Sequence, residues 1–366
     1  MIQESRPNVY AHALSAPLIV MMLTACSSGP HPGKALSSAK DSGGFAANAS
    51  VVPADWKGDC GLHTQWAGDD RCILPPPPDK GFQVHVGPSS YDNPESTYVM
   101  QPGTESTDNF PSVSPNQEDR YFYFRQYRMR PTAHHMILTA GNASTSTAAG
   151  LVGHRIATAN LSGDFPVNGI IAPENSGVGS PIGASSSINT SLHAINATTS
   201  PQLREIWVNF WYRDTQDVTD PAQAWFDVGD PTFAIAPGQD ATLGPYTCSI
   251  SSPGRLLWVY GHRHANNVSF LVNRIRGGER DLVYAGYHWD EPVTYQYDSI
   301  TQNPVADTTA DIEGGWSGVL DLQAGDKIEW SCHVINHQTT TLRFTNQTYL
   351  GEMCIVDAEA VGTNCL

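Results

Sequence analysis

Glycine and proline interrupt this chain so often that a long helix has little room to form. Among 366 residues there are 32 glycines and 26 prolines. Apolar and polar side chains alternate in residues 82–86, and aromatic residues crowd residues 121–127. Alternation of this kind, in β-branched and aromatic runs bounded by turn residues, is typical of short strands. We therefore predict an all-β fold without a helix longer than a few turns.

The length of the chain predicts more than one domain. A chain of 366 residues exceeds what one small hydrophobic core needs, so we expect two domains of ordinary size. The sequence Gly-Asp-Pro at residues 229–231 separates two series of strand-like runs, and such turn residues indicate a boundary. The predicted architecture is two tandem antiparallel β-sandwiches of jelly-roll type, comprising residues 56–228 and 229–366.

The N-terminus predicts export. Residues 1–25 are typical of a signal peptide, because an apolar run too short to span a bilayer ends in small residues before Cys26. Residues 23–26, Leu-Thr-Ala-Cys, resemble the lipobox of bacterial lipoproteins, which implies lipidation of the Cys26 thiol and a membrane anchor. Residues 26–55 are rich in small residues and predict a flexible linker. Because Glu4 opposes Arg6, plain secretion is the alternative to an envelope lipoprotein of the periplasm or outer membrane.

Cysteine and charge content narrow the class of protein. Beyond Cys26, an even number of cysteines without a CxxC spacing predicts three disulfides rather than a thiolate metal site. Cys60 and Cys72 bracket a short polar loop and are expected to pair locally. The net charge of -16, with 20 scattered Lys and Arg residues, argues against nucleic-acid binding.

Three short motifs carry residues that bind metals. His134 and His135 stand at the start of an apolar strand, where neighbours point to opposite faces. Sharing an ion therefore requires a strand end, a bulge or the use of different ring nitrogens. His262 and His264 have the spacing that places both rings on one strand face. Met353 offers a thioether, which together with imidazoles suits copper better than zinc or magnesium. Taken singly, each motif is also compatible with solvated or core residues.

In this order, His-His-Met, His-x-His and Glu-Met-Cys resemble the ascorbate-dependent copper monooxygenases, the family of the peptidylglycine and dopamine hydroxylases. The resemblance extends from about Phe82 to Cys365. The family has one further histidine between the first two motifs. His193 fits that place by its neighbours and its distance from His135, and His154 is the alternative.

The resemblance implies two copper ions per chain, facing each other across the cleft between the domains. Their ligands would be a first set, His134, His135 and His193, and a second set, His262, His264 and Met353. The first set would receive electrons from ascorbate or a similar reductant, and the second would bind O2 where a substrate C–H bond is hydroxylated. We expect a monomer that acts on a small organic substrate.

The resemblance also bears on the remaining cysteines and on the substrate. It implies the disulfide Cys332–Cys354 and, in consequence, Cys248–Cys365. Peptide-amidating members hold the substrate carboxylate with an arginine and a tyrosine, where this chain has Tyr260 and Asp357. Amidation is therefore not expected, because an acidic residue repels a carboxylate. Asp357 either favours an amine or hydroxyl substrate or, more simply, is an exposed loop carboxylate.

Two other functions are compatible with the sequence. A copper-binding lipoprotein without hydroxylase activity would keep both sets of ligands. A structural or adhesive β-sandwich would bind no copper and would carry its histidines incidentally.

Overall fold

The computed structural model describes residues 60–141, 146–147, 150–151, 154–159, 163–165, 177–287, 289, 295–296 and 320–365. The predicted signal peptide, the lipidation of Cys26 and the linker lie outside these residues. The described residues all belong to one compact unit. None of its helices is long and apolar enough to cross a membrane.

Strands dominate the described part of the chain, which contains no α-helix and three short 3-10 helices, Asp69–Arg71, Ser96–Tyr98 and Thr215–Asp217. The all-β prediction is confirmed. The strands are β1 (Gly81–Val86), β2 (Val99–Met100), β3 (Glu105–Val113), β4 (Arg120–Met129), β5 (Ala133–Gly141), β6 (Ser146–Thr147), β7 (Gly150–Leu151), β8 (His154–Ala159), β9 (Gly163–Phe165), β10 (Val178–Ile182), β11 (Ser187–Ile195), β12 (Gln202–Leu203), β13 (Ile206–Arg213), β14 (Asp220–Asp227), β15 (Ala234–Ile235), β16 (Asp240–Ser249), β17 (Gly254–His262), β18 (Asn267–Arg276), β19 (Glu279–Gly286), β20 (Tyr295–Gln296), β21 (Leu320–Leu322), β22 (Lys327–Ile335), β23 (Leu342–Arg343) and β24 (Ile355–Val361).

These strands build two sandwiches, each with its own apolar core. In the first, the sheet β3-β11-β5-β8 faces the strands β1-β13-β4-β10, and Met136, Leu192 and Phe210 belong to the core between them. In the second, the sheet β16-β22-β18-β19 faces β14-β24-β17-β20, and Trp330 and Val356 belong to its core. Burial of these apolar side chains is the main force that holds the facing sheets together.

The two sandwiches share one continuous sheet. Strands β10 and β14 pair in parallel and join the two halves into a sheet of ten strands. A small apolar cluster that includes Phe124, Trp211 and Val361 covers this junction. Strand β14 also pairs with β24, so the second sandwich begins before the expected boundary between residues 228 and 229. The division into two separate domains stays a prediction.

Three disulfides link the described cysteines in the expected pairs. They are Cys60–Cys72, Cys248–Cys365 and Cys332–Cys354. All three pairings are therefore confirmed. Disulfides form and persist in oxidising compartments, which agrees with an exported protein.

Candidate metal centre

Five histidines from both sandwiches converge on one buried cluster. His135, His193, His262 and His264 are each at most 8% exposed, whereas His134 is half-buried. Four of them are therefore almost entirely withdrawn from water. Buried imidazoles without a compensating role are costly, which makes a cluster of this kind a candidate for ligand binding.

A β-bulge brings the first set together. His193 on β11 stands opposite His135, and the next residue of β11, Ala194, stands opposite Ala133. His134 is therefore an extra residue on β5, and this bulge, one of the possibilities that the sequence left open, lets adjacent histidines share one site. Ligand nitrogens of the three histidines all lie within 4.8 Å of one another. That spacing is short enough for one metal ion to reach all three.

His154, the alternative third ligand, lies elsewhere on the sheet. It stands opposite Ala140 near the far end of β5. Ala140 and His135 lie on the same strand, which rises about 3.3 Å per residue, so the backbone of His154 is roughly 16 Å from that of His135 along the strand direction. The geometry therefore supports His193 as the third member of the first set.

The second set forms where β17 ends. His262 is the last residue of that strand and His264 follows the strand, with their ring centroids 5.5 Å apart. The backbone N–H groups of His264 and Met353 both donate to Oε1 of Glu352, at 2.7 and 2.9 Å. Glu352 is fully buried and Met353 is 6% exposed. One carboxylate thus fixes two chain segments that are far apart in the sequence.

The two sets touch each other. The ring centroids of His135 and His262 are 4.8 Å apart, and those of His135 and His193 are 4.6 Å apart. The resemblance implies two ions that face each other across a cleft between domains. In the structure the histidines of the two sets form one continuous cluster between the two sandwiches.

Carboxylates adjoin both sets. Nε2 of His193 lies 2.8 Å from Oε1 of Glu105, and its Nδ1 lies 3.3 Å from Nδ1 of His135. Burial acts to raise the pKa of Glu105, but hydrogen bonds from Thr348 and His193 bring it below its usual value. Burial raises the pKa of Glu352 to about 8 despite the two backbone N–H donors.

Burial favours the neutral form of three of the four buried imidazoles. Burial, followed by the neighbouring His262 and His193, lowers the pKa of His135 well below 6.5. Burial also lowers the pKa of His264 to about 3. The pKa of His193 is lowered by burial, against the opposing effect of Glu105. Neutral imidazoles keep the lone pairs that metal ligation requires.

This electrostatic arrangement predicts a pH-dependent stability of the metal-free protein. The pKa values of His135, His193 and His264 lie below 6.5 in the folded state. Below about pH 6.5 the unfolded chain therefore binds protons that the folded chain does not bind. The raised pKa of Glu352 acts in the opposite sense between pH 8 and 4.5. Three histidines against one glutamate leave a net difference of at most two protons, each worth about 1.4 kcal/mol per pH unit. The free energy of unfolding should therefore fall by up to roughly 3 kcal/mol per unit below about pH 6.5. Urea unfolding at pH 7.5, 6.5 and 5.5 measures this, and a constant midpoint would contradict it.

The donor set fits a copper ion. Among the described residues, neither ring nitrogen of His264 has a hydrogen-bond partner of normal geometry, although both are buried. Buried nitrogens of this kind gain a partner when a metal binds. Imidazoles favour copper over the harder ions magnesium and calcium, and the thioether of Met353, whose backbone shares Glu352 with that of His264, is a further soft donor.

Two residues that the resemblance placed near the substrate are buried rather than exposed. Asp357 lies within β24 opposite Tyr260 and is fully buried, so the interpretation of Asp357 as an exposed loop carboxylate is wrong. Strand pairing places His262 opposite Ile355, two residues before Asp357 on the same face of the sheet. A carboxylate therefore stands on the sheet face that carries His262.

Solvent reaches the cluster from the side of His134. Its ring centroid is 5.6 Å from that of Trp289, which is in turn 5.6 Å from that of Tyr349. Tyr349 is 47% exposed. An aromatic pair thus borders the most accessible histidine of the cluster.

Two carboxylates that hold the ligands, Glu352 and Glu105, were not predicted from the sequence. Glu352 was part of the Glu-Met-Cys motif, where its place beside Met353 was the available signal. Glu105 is separated from His193 by 88 residues, and a polar strand start offers no sign of that partner.

Comparison with known proteins gives no independent assignment. No protein-family model matches the sequence, and no curated protein matches it. Among solved structures, PNGase F, a glycosylasparaginase from Flavobacterium meningosepticum, is similar over 76% of this chain and 95% of its own, with 8% identity and a TM-score of 0.31. The STIV MCP is similar over 77% of this chain and 96% of its own, with 12% identity and a TM-score of 0.24. Likenesses this low carry no argument, so membership of the copper monooxygenase family stays a prediction from the motifs.

Proposed function

We propose that the protein is a copper-dependent monooxygenase that hydroxylates a C–H bond of a small organic substrate with O2 and a reductant such as ascorbate. One observation carries the proposal, namely that the five motif histidines, 130 residues apart at their extremes, meet in one buried cluster. Incidental histidines have no reason to converge in this way.

The chain's own residues have distinct parts in this proposal. The first set would hold a copper with imidazoles alone, and the second would hold one with two imidazoles and the Met353 thioether. Bound copper would supply one-electron chemistry and O2 binding. In the overall reaction one oxygen atom enters the substrate, and the other leaves as water with two electrons and two protons from the reductant. Burial of His262 and His264 excludes bulk water from the oxidising site. Glu352 holds the backbones of His264 and Met353 next to each other, because both N–H groups donate to its Oε1.

A second candidate is a copper-binding protein of the cell envelope that does not turn over. The burial of four of the five histidines favours it, because a buried cluster leaves little surface for a substrate. Both candidates require copper, and they differ in redox turnover.

The test is copper content together with ascorbate-driven O2 consumption. We expect the copper-loaded protein to bind two copper ions per chain and to consume O2 slowly without substrate, and faster with the correct amine or hydroxyl compound. Bound copper without O2 consumption would favour the binding protein. Absence of bound copper would refute both candidates.

A further inference from the structure

Glu105 makes two hydrogen bonds that connect the two sets. Its Oε1 accepts the Nε2–H of His193 at 2.8 Å and the backbone N–H of Thr348 at 2.9 Å. His193 belongs to the first set, and Thr348 lies in the segment that leads to Met353. One carboxylate oxygen therefore holds a ligand of one set and the chain that carries a ligand of the other.

Thr348 continues this connection to the histidines of the second set. Its carbonyl accepts the N–H of Ala265, the residue after His264, at 3.2 Å. Its Oγ1 lies 3.4 Å from Nε2 of His193, and the whole residue is buried. The path from His193 through Glu105 and Thr348 to Ala265 consists of hydrogen bonds within the chain, so it does not depend on a metal.

The hydrogen bond to Glu105 also decides which nitrogen of His193 is available to a metal. A neutral imidazole that donates its Nε2–H keeps the lone pair on Nδ1. That Nδ1 faces the cluster, 3.3 Å from Nδ1 of His135. A carboxylate behind a ligand imidazole fixes its tautomer and orientation and increases its basicity.

The second sandwich contains a carboxylate–histidine pair, Asp240 and His333, that is placed like Glu105 and His193 but lies outside the histidine cluster. Asp240 stands opposite Ile335 on β16 and β22, as Glu105 stands opposite Ile195 on β3 and β11. Nε2 of His333, two residues before Ile335, lies 2.7 Å from Oδ1 of Asp240. This pair is partly exposed and lies outside the group of histidines that could hold a metal. It is therefore a matched control for a carboxylate–histidine pair with no metal to serve.

We propose that Glu105 is a positioning residue for both sets. It presents Nδ1 of His193 to the first copper and, through Thr348, holds the segment of Met353 and the turn after His264 in place for the second. Removing its carboxylate therefore weakens copper binding at the second set even when the first set has been disabled. This inference rests on the proposed function for its metal and on the geometry of the chain for the rest.

The first experiment needs no metal. Nitrogen-15 NMR of histidine-labelled, metal-free protein, with the His193 signal assigned by its loss in His193→Ala, reports the tautomer. We expect the Nε2–H form in the parent and in Asp240→Ala, and a loss of that preference in Glu105→Ala. The Nδ1–H form in the parent, or no change in Glu105→Ala, would overturn the positioning of His193. This outcome does not depend on whether the protein binds copper.

The second experiment measures Cu(I) affinity at the second set by competition with a chelator in a His193→Ala background. Because His193 is already absent, a further loss on adding Glu105→Ala cannot act through that ligand, and the hydrogen bond to Thr348 is the structural route that remains. We expect affinity to fall by about tenfold or more, the usual effect of removing a residue that supports metal ligands. Asp240→Ala in the same background should leave the affinity unchanged.

The outcomes separate this inference from the proposed function. Equal Cu(I) affinity in His193→Ala with and without Glu105→Ala would overturn the connection to the second set. An equal loss with Asp240→Ala would also overturn it, because the effect would then be a general loss of structure. Failure of the parent to bind copper would refute the proposed function itself, while the tautomer would still decide whether Glu105 positions His193.

Discussion

Replacing Glu359 by alanine is expected to lower the free energy of unfolding by about 3–5 kcal/mol, since it leaves a buried arginine without its counter-ion. Both carboxylate oxygens of Glu359 on β24 accept hydrogen bonds from Nη2 of Arg125 on β4, at 3.1 and 3.0 Å. Oε2 of Glu359 also accepts the Nε1–H of Trp258, at 2.6 Å. Glu359 also accepts the hydroxyl of Ser180. Burial acts to raise the pKa of Glu359, but the charge of Arg125 and the hydrogen bonds from Ser180 and Trp258 bring it below its usual value. The pair therefore remains charged while it joins the two sandwiches.

A surface ion pair provides the matched control for this prediction. Oε1 of Glu118 lies 2.5 Å from Nη2 of Arg120, but the side chain of Glu118 is 70% exposed. Replacing Glu118 by alanine should change the free energy of unfolding by less than about 1 kcal/mol. Chemical denaturation of both variants at neutral pH measures the difference. Equal losses would mean that the Arg125–Glu359 pair does not stabilise the junction between the sandwiches.

Replacing His264 by alanine is expected to lower ascorbate-driven O2 consumption by at least about 100-fold, more than the usual loss from a residue that merely supports a ligand. His264 is 1% exposed and its ring adjoins that of His262. Without it the second set keeps one imidazole and one thioether, too few donors to retain copper where O2 would bind. Loss of one of the two copper ions should accompany the loss of activity.

His333 is the control for His264. It lies on β22, pairs with Asp240 and has a side chain that is 36% exposed. Its replacement by alanine should leave both copper content and O2 consumption near those of the parent protein. Retention of activity in His264→Ala, or an equal loss in His333→Ala, would contradict the assignment of the second set.

Alternating residues made the strands predictable, while their arrangement depended on distant contacts. In β1, Phe82, Val84 and Val86 are buried and His85 is exposed, as the alternating pattern indicates. The junction between the sandwiches gives no comparable signal. Strands β10 and β14 meet over two residue pairs that contain glycine and proline, and their parallel pairing is a tertiary contact. The sequence therefore indicated strands and two halves but not the shared sheet.

The sequence indicated which residues are candidate ligands, but it did not indicate how they are arranged in space. The adjacency of His134 and His135 predicted a strand end, a bulge or different ring nitrogens for a shared ion, and a bulge is present. The contact between His135 and His262 was not predictable, because it depends on how closely the two sandwiches approach. Hydrogen bonds between residues far apart in the sequence, such as the one between Glu105 and Thr348, leave no local pattern.

Copper content combined with X-ray absorption at the copper edge is the sharpest test of the two-copper site. We expect two copper ions per chain in the exported protein, bound through imidazole nitrogens, with one sulfur ligand in the reduced state. Met353→Ala should remove the sulfur signal, and His193→Ala should reduce the content to about one ion. A protein that retains no copper, or whose copper spectrum is unchanged in both variants, would rule out the two-copper site.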